Sequence, residues 1–336
     1  MKAYEVQKGS SGLDGLRRID RPDPQPGPHQ ILIRLRAASL NYRDHLVVVG
    51  RYFAAVERNT IPLSDGAGEV VSVGSDVSRF RVGDRVAGTF FQVWKDGPRG
   101  AAPPALGVPL DGVLAEYIVL HEDGVVAVPQ SLSFEEAATL PCAGVTAWNA
   151  LMVAGRRVKP GDTVLCLGTG GVSTFAMQFA RSAGARVIVT SSSDDKLKRA
   201  IDLGASEGIN YARFPDWEKE VENVTHGRGV DHVIEVGGVG TLSRSCHAIG
   251  FGGQVALIGF LAAPGGDPNL VPLMMKGGSL QGIGVGNTKT FEDMNAAIDV
   301  NWIKPVIDAV FEFDRAADAF RHLASGNFVG KIVVRI

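Results

Sequence analysis

The amino-acid sequence predicts an α/β protein in which a β-rich domain accompanies a doubly wound parallel sheet. The first observation is a strand–turn–helix–strand unit over Thr163–Thr190, where an apolar run ends at Leu167, glycines follow, and apolar residues then recur at helical spacing. The second is that short apolar runs alternate with helical segments from Ser131 onward, whereas residues 1–125 contain alternating, Pro/Gly-punctuated runs. Six strands connected by helices form such a parallel sheet.

The length of the chain, 336 residues, predicts two domains, because one hydrophobic core rarely grows this large. We place the β-rich domain at residues 1–130 and 288–336 and the parallel-sheet domain at residues 131–287. The first boundary precedes a capping box, Ser133-Phe134-Glu135-Glu136, which begins a helix. The second follows the last candidate strand of the parallel sheet.

Individual runs mark the elements within this plan. The candidate strands of the parallel sheet are Thr163–Leu167, a run beginning at Val187, Ile209–Tyr211, Val233–Val236, Val255–Ile258 and Leu280–Val285, and the helices between them are Lys196–Leu203, Trp217–Thr225 and Leu242–Ala248. The β-rich domain has candidate strands at Ile31–Ala38, Gly68–Val73, Arg81–Ala87 and Leu114–Val119, and it ends with a helix over Phe291–Val300 and a strand over Lys331–Ile336.

Composition and charge exclude several classes of function. The 34 Lys and Arg residues are balanced by 36 Asp and Glu residues, so the net charge of −2 gives no electrostatic basis for binding nucleic acid or an anionic membrane. The three cysteines form no CxxC pair, which excludes a disulfide framework and favours a reducing compartment. The N-terminus has no apolar signal core, and glycines interrupt the longest uncharged stretch, Ser245–Gly266. We therefore expect a cytoplasmic protein.

The glycines of Gly168-Thr169-Gly170-Gly171-Val172 lie where the strand turns into the helix. Glycine lets backbone N–H groups approach a pyrophosphate, and the amino end of the helix favours its negative charge. Ser173 stands where a third glycine is usual, and it is small enough for close helix–strand packing. A glycine string alone also fits an ordinary turn, but within a strand–helix–strand unit it predicts a dinucleotide site.

The end of the second strand of this unit predicts which dinucleotide is bound. NAD-specific sites place an acid there, about 20 residues after the glycines, to bind the ribose 2′-hydroxyl. Here the position is Ser191, followed by Ser192, with Lys196 nearby. Hydroxyls and a cation can accept a 2′-phosphate, which a carboxylate would repel, so we predict NADP(H), with NAD(H) as the alternative. Asp194 and Asp195 oppose this choice, although acids are also favoured at the amino end of a helix.

Further motifs resemble the medium-chain dehydrogenase/reductase superfamily over essentially the whole chain. They are ASLNYRD (Ala38–Asp44), PLSDGAGEVVSVG (Pro62–Gly74), RVGDRV (Arg81–Val86), AATLPCAGVTAW (Ala137–Trp148) and the glycine turn. The resemblance implies a GroES-like catalytic domain, closed by the C-terminal segment, and a Rossmann domain, with the active site in a cleft between them.

The resemblance also implies further cofactor contacts. Tyr211 resembles the position where quinone oxidoreductases bring a tyrosine beside the 2′-phosphate. Lys331 stands where relatives place a basic residue near the cofactor phosphates, although a surface charge at a strand end is the other interpretation. The residues expected to border the nicotinamide are Thr146, Gly259, Phe260 and Val285.

The zinc ligands of the related alcohol dehydrogenases are largely missing from this chain. By resemblance, Asn41 replaces a cysteine and Ser64 replaces a histidine, so that only Cys142 remains of the ligand set. A catalytic zinc needs three protein ligands. The loop Phe90–Gly112 also lacks the four cysteines of the structural zinc lobe. The resemblance therefore implies a zinc-free member, similar to quinone oxidoreductases and their alcohol-dehydrogenase-like relatives.

Without zinc, hydrogen-bond donors must stabilise the oxyanion that develops on the substrate during hydride transfer. The candidates lie in one stretch, NYRDHLVVVGRY, which faces the nicotinamide in relatives; they are Asn41, Tyr42, His45 and Tyr52. Asn41 and Tyr52 match residues of the quinone oxidoreductases, and a tyrosine phenol is neutral at pH 7 and can give a proton. Each also fits a packing role. Arg43 and Arg51 are predicted to be solvated, with attraction of an anionic substrate as the alternative role for either.

We therefore expect a zinc-independent, NADP(H)-dependent oxidoreductase that acts on a small carbonyl, alcohol, enone or quinone. The bulky side chains that favour an apolar or aromatic substrate, or that simply fill the core, are Phe53, Phe91, Trp94, Phe260 and Met275. One alternative is a nicotinamide-binding protein without turnover. Another is a metal-dependent alcohol dehydrogenase with a rearranged site near Asp44, His45 and Asp65. A homodimer formed through the edge strands of the parallel sheet, Val255–Ile258 and Leu280–Val285, is the expected assembly.

Overall fold

The computed structural model describes residues 1–52, 56–100, 103–262 and 266–336, so that Phe53 of the predicted pocket lies outside the described residues. The chain forms two compact units. One consists of Met1–Val145 with Asn287–Ile336, and the other consists of Thr146–Gly286. The first is β-rich and the second contains a parallel sheet with helices, which confirms the predicted α/β class.

The strands are numbered along the chain. They are β1 (Lys2–Val6), β2 (Leu16–Asp20), β3 (Gln30–Leu40), β4 (Asp65–Val73), β5 (Arg85–Gly88), β6 (Tyr117–His121), β7 (Val125–Ala127), β8 (Thr163–Leu167), β9 (Arg186–Ser191), β10 (Glu207–Asn210), β11 (Val230–Glu235), β12 (Ile249–Leu257), β13 (Ser279–Gly282), β14 (Ile307–Glu312) and β15 (Lys331–Arg335).

The helices are numbered in the same way. They are α1 (Tyr42–Val48), α2 (Phe134–Ala137), α3 (Val145–Trp148), α4 (Gly171–Ser182), α5 (Asp194–Asp202), α6 (Trp217–Val224), α7 (Val239–Ala248), α8 (Val271–Met275), α9 (Thr288–Asn301) and α10 (Ala316–Ser325). Short π-helical turns over Leu140–Gly144 and Asn149–Val153 flank α3. In the described ranges, no helix combines the length and the apolar character that crossing a membrane requires.

The first unit is built on a seven-stranded sheet with the order β14-β15-β3-β4-β5-β7, in which β6 also pairs with β3. Strand β3 buries Ile31, Ile33 and Leu35 between more exposed neighbours, because successive side chains of a strand point to opposite faces. The C-terminal strand β15 pairs antiparallel with β3, with Ile332 opposite Leu40. This register brings the beginning of β15 beside the end of β3, where α1 starts.

Several elements of the first unit are missing from the sequence-based prediction, among them β1, β2, β7, β14 and α10. Strand β14 pairs parallel with β15, and α10 packs against both. The buried residues of α10 recur at helical spacing and include Ala316, Ala319 and Phe320, so the signal is present in the sequence. Strand β5 begins at Arg85 instead of Arg81, because residues 81–84 form a turn closed by a backbone hydrogen bond of 3.1 Å.

The first boundary between the units lies after Val145, not after Gln130 as predicted, and the second lies after Gly286. The capping box itself is present: Ser133 Oγ accepts from the Glu136 backbone N–H at 3.2 Å, and the Glu136 carboxylate accepts from the Ser133 N–H at 2.8 Å. However, α2 packs against β3 and β4 of the first unit. A capping signal indicates where a helix begins but not which sheet it covers.

The second unit is built on six parallel strands, as the sequence predicts, and their order is β10-β9-β8-β11-β12-β13. Of the two strands expected at an edge, β13 is outermost, whereas β12 pairs on both sides, so that the expectation for Val255–Ile258 is wrong. All five residues of β8 are buried. The strand order reverses between β8 and β11, and ligands of such sheets bind outside the carboxyl ends of the strands at this switch point. Strand β13 ends at Gly282, earlier than predicted, and Val285 beyond it has a left-handed backbone with φ of 59°.

Candidate active site

The glycine turn connects the carboxyl end of β8 to the amino end of α4. Gly168 has a φ of 74°, a left-handed conformation that favours glycine, and Gly170 is the N-cap residue of α4. A Cβ atom at Gly170 would meet no other part of the described protein within 4 Å, so the turn is open there. Ser173 is buried and donates to the Leu167 carbonyl at 2.7 Å, which fixes the helix against the strand. The turn therefore leaves space for a ligand beside the amino end of α4, where the helix dipole is positive.

The carboxyl edge of the parallel sheet also carries most of the other predicted cofactor residues. They are Gly168, Thr169, Gly170, Gly171 and Val172 after β8, Ser191, Ser192 and Lys196 after β9, Tyr211 after β10, Gly259 and Phe260 after β12, and Val285 after β13. Thr146 is buried in α3. Lys331 belongs to the first unit, where it begins β15.

Glu235, at the end of β11, is a residue of this edge that the sequence analysis did not select. Its fully buried carboxylate accepts from the backbone N–H groups of Gly237 at 2.7 Å and Gly238 at 2.9 Å, and from the Thr241 hydroxyl at 2.7 Å. Its second oxygen accepts from the Ser245 hydroxyl. Glu235 thereby holds the loop between β11 and α7. An acid that ends a buried strand before two glycines is the signal that could have revealed it.

Val285 is a backbone outlier at the same edge. A left-handed conformation is unfavourable for a β-branched residue, and such strain is concentrated at functional sites. The Asn149 side chain donates to the Val285 carbonyl at 2.6 Å, which helps to hold this conformation. This constraint is consistent with a precisely placed loop after β13.

The end of β9 carries hydroxyl groups in place of a carboxylate. Ser191 is buried, and Ser192 is exposed. The Asp194 carboxylate, which follows closely, is bound by Asn210 Nδ2 at 2.8 Å and by the Arg213 guanidinium. Asp194, the first acidic residue after Ser191 in the sequence, is therefore paired with the Arg213 cation.

Lys331 and Asn41 form the centre of the first unit's candidate site. The Lys331 ammonium is buried and donates to Asn41 Oδ1 and to the Leu40 carbonyl, each at 2.6 Å. This contact exists because β15 pairs with β3. The Asn41 amide nitrogen is buried and has no hydrogen-bond partner in the described part of the chain, although the amide lies close enough to Asp65 to lower the pKa of that carboxyl.

Two buried carboxylates accompany this contact. Asp65 accepts from the Ser64 hydroxyl at 2.6 Å and from the Cys142 backbone N–H at 3.1 Å. Burial raises the pKa of Asp65, while Lys331 and Ser64 oppose the increase. Burial raises the pKa of Asp44 to about 6, against the opposing charge of Arg43. Asp44 accepts from the Asn41 backbone N–H at 2.8 Å and so fixes the beginning of α1.

The other predicted catalytic residues lie on or just after α1. Tyr42 is exposed, and its ring centroid is 6.1 Å from that of His45. Burial, with a smaller contribution from Arg51, lowers the pKa of His45, which keeps the imidazole neutral at pH 7. The Tyr52 ring lies under the Arg43 guanidinium, 4.9 Å from ring centroid to Cζ.

Arg43 is buried, so the expectation that it is solvated is wrong. Its guanidinium donates to the Leu106 carbonyl at 2.7 Å and to the Val108 carbonyl at 3.3 Å. It also lies between the rings of Tyr52 and Phe90, at 4.9 and 4.7 Å. The planar fork of arginine makes hydrogen bonds and ring contacts at once, which a sequence pattern around one charged residue does not reveal.

Comparison with known proteins identifies the family. Residues 27–130 match the alcohol dehydrogenase GroES-like domain, and residues 171–300 match the zinc-binding dehydrogenase family. A zinc-type alcohol dehydrogenase-like protein of Schizosaccharomyces pombe is 45% identical over 341 residues, which cover 99% of each chain. The chain belongs to the medium-chain dehydrogenase/reductase superfamily.

Two further relatives support this assignment. The quinone oxidoreductase of Homo sapiens is 26% identical over 94% of this chain and 92% of its own. A crystal structure from Sinorhizobium meliloti, provisionally described as an alcohol dehydrogenase, is similar with a TM-score of 0.92 and 41% identity, covering 100% of both chains. This superfamily member is therefore an oxidoreductase of the alcohol dehydrogenase and quinone reductase type, and its GroES-like and Rossmann-like units are confirmed.

The second unit fits the pyridine nucleotide on which the superfamily depends. The turn at Gly168–Gly171 is open, it adjoins the sheet's switch point, and a helix of twelve residues starts there. These residues would hold the diphosphate. The hydroxyls at Ser191 and Ser192 would face the adenosine ribose.

The first unit does not fit the zinc ion that the family description implies. Within the described ranges, no three His, Cys, Asp or Glu side chains are grouped so that they could hold a metal. Burial raises the pKa of the Cys142 thiol and so disfavours the thiolate that binds zinc. The Lys331 ammonium also lies 3.9 Å from Asp65 Oδ2, where it would repel a second cation.

Proposed function

We propose that this protein is a zinc-independent, NADP(H)-dependent oxidoreductase that transfers a hydride between the nicotinamide and a small carbonyl or alcohol, enone or quinone substrate. The observation that carries the proposal is the open glycine turn, Gly168–Gly171, at the switch point of the parallel sheet. Enone and quinone substrates are included because a quinone oxidoreductase is among the relatives that align over nearly the whole chain.

The preference for NADP(H) is supported by the residues at the end of β9. No carboxylate ends this strand, since Ser191 and Ser192 stand there, and the Asp194 charge is paired with Arg213. Lys196 in the first turn of α5 and the partly exposed Tyr211 after β10 complete a polar, cation-containing surface for a 2′-phosphate. NAD(H) is the alternative, and Ser191→Asp should favour it by repelling the 2′-phosphate and binding the free 2′-hydroxyl.

The chain's own side chains must stabilise the substrate oxygen, while the bound nicotinamide supplies or accepts the hydride. Asn41 is the proposed donor to that oxygen. Its buried amide nitrogen, without a partner in the described residues, costs free energy that a ligand acceptor would recover. Tyr52, His45 and Tyr42 are the proposed sources of the proton. The lowered pKa keeps His45 neutral at pH 7, so it would act as a relay, with one ring nitrogen giving a proton to the substrate oxygen while the other accepts one from solvent.

Oxidation of NADPH by a panel of aldehydes, ketones, enones and quinones tests the proposal. We expect turnover with at least one class, unchanged by a metal chelator, and a kcat/KM about tenfold or more above that with NADH. Nucleotide binding without turnover across the panel would instead support the alternative of a binding protein. Loss of activity on chelation, restored by zinc, would support the rearranged metal site.

We also propose that two copies pair along β13. This strand is the outer strand of the six-stranded sheet, and the adjoining helix α8 has no buried residue. Apolar side chains are exposed here, with Met274 at 70% and Met275 at 69%. Sedimentation velocity at micromolar concentration should show a dimer that Met274→Glu converts to a monomer. Val82→Glu, at an exposed apolar position of the first unit, should leave the dimer intact, and a wild-type monomer would contradict the proposal.

A further inference from the structure

The buried side chains Asp65 and Lys331 contact each position where zinc-dependent relatives carry a ligand. The Lys331 ammonium donates to Asn41 Oδ1 at 2.6 Å. Asp65 Oδ1 accepts from the Ser64 hydroxyl at 2.6 Å, and Asp65 Oδ2 accepts from the Cys142 backbone N–H at 3.1 Å. Lys331 Nζ and Asp65 Oδ2 are 3.9 Å apart. The pair therefore connects the three positions that a metal ion would otherwise join.

Burial and hydrogen bonding make this pair a rigid connection. Asp65 is 0% and Lys331 is 3% exposed. A buried ion pair is favourable only when its remaining hydrogen-bonding capacity is used, and here the Leu40 carbonyl accepts a further hydrogen bond from Lys331. The connected positions come from the end of β3, the start of β4, the start of β15 and the π-helical turn that contains Cys142. These segments are distant in sequence, so the pair crosslinks the unit.

The ammonium also fixes the orientation of the Asn41 amide. Lysine has three donors and no acceptor, so the amide atom that faces it must be the oxygen, and the nitrogen must face away. A divalent cation at these three positions would lie within a few ångströms of this ammonium. Charges of +2 and +1 at such a distance repel strongly in a buried site.

We propose that the Asp65–Lys331 pair takes the place of a metal centre: it holds the Asn41, Ser64 and Cys142 positions together, and its ammonium keeps a divalent cation out. Lys331 is thus a positioning residue that acts through Asn41. The inference rests on the metal independence of the proposed function and gives the physical reason for it.

Cobalt(II) binding, measured from the visible absorption spectrum without nucleotide or substrate, tests the exclusion of a cation. The variant Asn41→Cys/Ser64→His adds two ligands to Cys142. It is compared with the same variant carrying Lys331→Met, and with a matched control carrying Arg335→Met, an exposed position of the same strand. We expect one cobalt ion to bind about a hundredfold more tightly to the Lys331→Met protein than to the other two.

Three outcomes of these measurements would overturn the proposal. Equal cobalt affinity with and without Lys331 overturns the proposal. Failure of all three variants to bind also overturns it, because the ammonium would then not be what excludes the ion. Stoichiometric zinc in the purified wild-type protein does the same. A wild-type protein without turnover contradicts the proposed function instead, and it leaves the cobalt comparison unchanged.

A second measurement applies if the ligand variants do not fold. Asp65→Asn and Lys331→Met each leave one buried charge without its partner, so each should lower the Tm, and the double variant should recover most of the summed loss. We expect kcat to stay low in the double variant, because Lys331 no longer holds Asn41. If the pair only stabilised the fold, the double variant would recover its kcat together with its Tm. Additive losses of Tm, or a raised Kd for NADPH with unchanged kcat in the Lys331 variants, would overturn the proposal.

Discussion

The glycine turn and the charged cluster of the first unit are built in opposite ways. The residues of the turn are contiguous, and a Cβ atom at Gly168 or Gly170 would meet no other described atom within 4 Å, so the turn offers open backbone. In the cluster, Asn41 and Lys331 are 290 residues apart, and both act through side chains. The glycine turn is open because its glycines have no side chains. The cluster is filled by the oppositely charged side chains of Asp65 and Lys331.

This difference determines how mutations act. The turn can lose its ligand without losing the fold, since its open side contacts no other described part of the protein. The cluster cannot be altered in the same way, because Asp65 and Lys331 bind the strands that build the first unit. We therefore expect changes at the turn to affect affinity, and changes at the cluster to affect stability and pH dependence.

The largest expected effect is on nucleotide affinity in Gly170→Asp. Aspartate is a better N-cap than glycine, so the free protein should keep or slightly raise its Tm. The new carboxylate would lie beside the diphosphate and repel it. We expect the Kd for NADPH to rise about a thousandfold, or about 4 kcal/mol, in isothermal titration calorimetry.

The control for this change is Gly12→Asp. Gly12 is also an extended N-cap residue, and a Cβ atom there would meet no other described atom within 4 Å, but it lies in the first unit. Its substitution should leave the Kd unchanged. Equal affinity of the Gly170→Asp and wild-type proteins would mean that the glycines form an ordinary turn.

The contrast also explains what the sequence could predict. The six parallel strands and the glycine turn follow from local patterns, since apolar runs and glycines lie next to one another in the chain. The order of the strands depends on pairing between distant segments, such as β8 with β11. The contact between Lys331 and Asn41 depends on the pairing of β15 with β3, and the buried position of Arg43 depends on the carbonyls of Leu106 and Val108. No local pattern contains either partner.

The second prediction concerns pH and Asp44. Its pKa in the folded protein is about 6, above the ordinary value of 3.8, so the folded state holds its proton more tightly than the unfolded state. The folded protein therefore loses stability as the pH rises from about 4 to about 6. Asp44→Asn keeps an acceptor for Asn41 and avoids this loss. In urea unfolding, the free energy of unfolding of Asp44→Asn relative to the wild type should increase by up to about 3 kcal/mol between pH 4 and pH 7.5.

Asp20→Asn is the control for the pH dependence, because Asp20 is an exposed strand residue of the same unit. Its unfolding free energy should follow that of the wild type across the same pH range. A constant difference between Asp44→Asn and the wild type would show that Asp44 does not titrate in this range.

A smaller effect is expected for Arg43→Lys. Lysine cannot donate to both the Leu106 and the Val108 carbonyls while lying between two rings. We expect a loss of about 2 kcal/mol in the free energy of unfolding, measured by urea denaturation. Arg51→Lys, at an exposed position of the same segment, should change it by less than about 0.5 kcal/mol. Equal effects of the two substitutions would contradict a structural role for the buried guanidinium.

The smallest expected effect is at the turn's own edge of the sheet, in Glu235→Gln. The amide oxygen can still accept from Gly237 and Gly238, and its nitrogen can donate to Ser245, so only the charge of these hydrogen bonds is lost. We expect a loss of about 1 kcal/mol in unfolding free energy, against none for the exposed Glu222→Gln. A loss as large as that of Arg43→Lys would show that this edge, like the first unit, also depends on a buried charge.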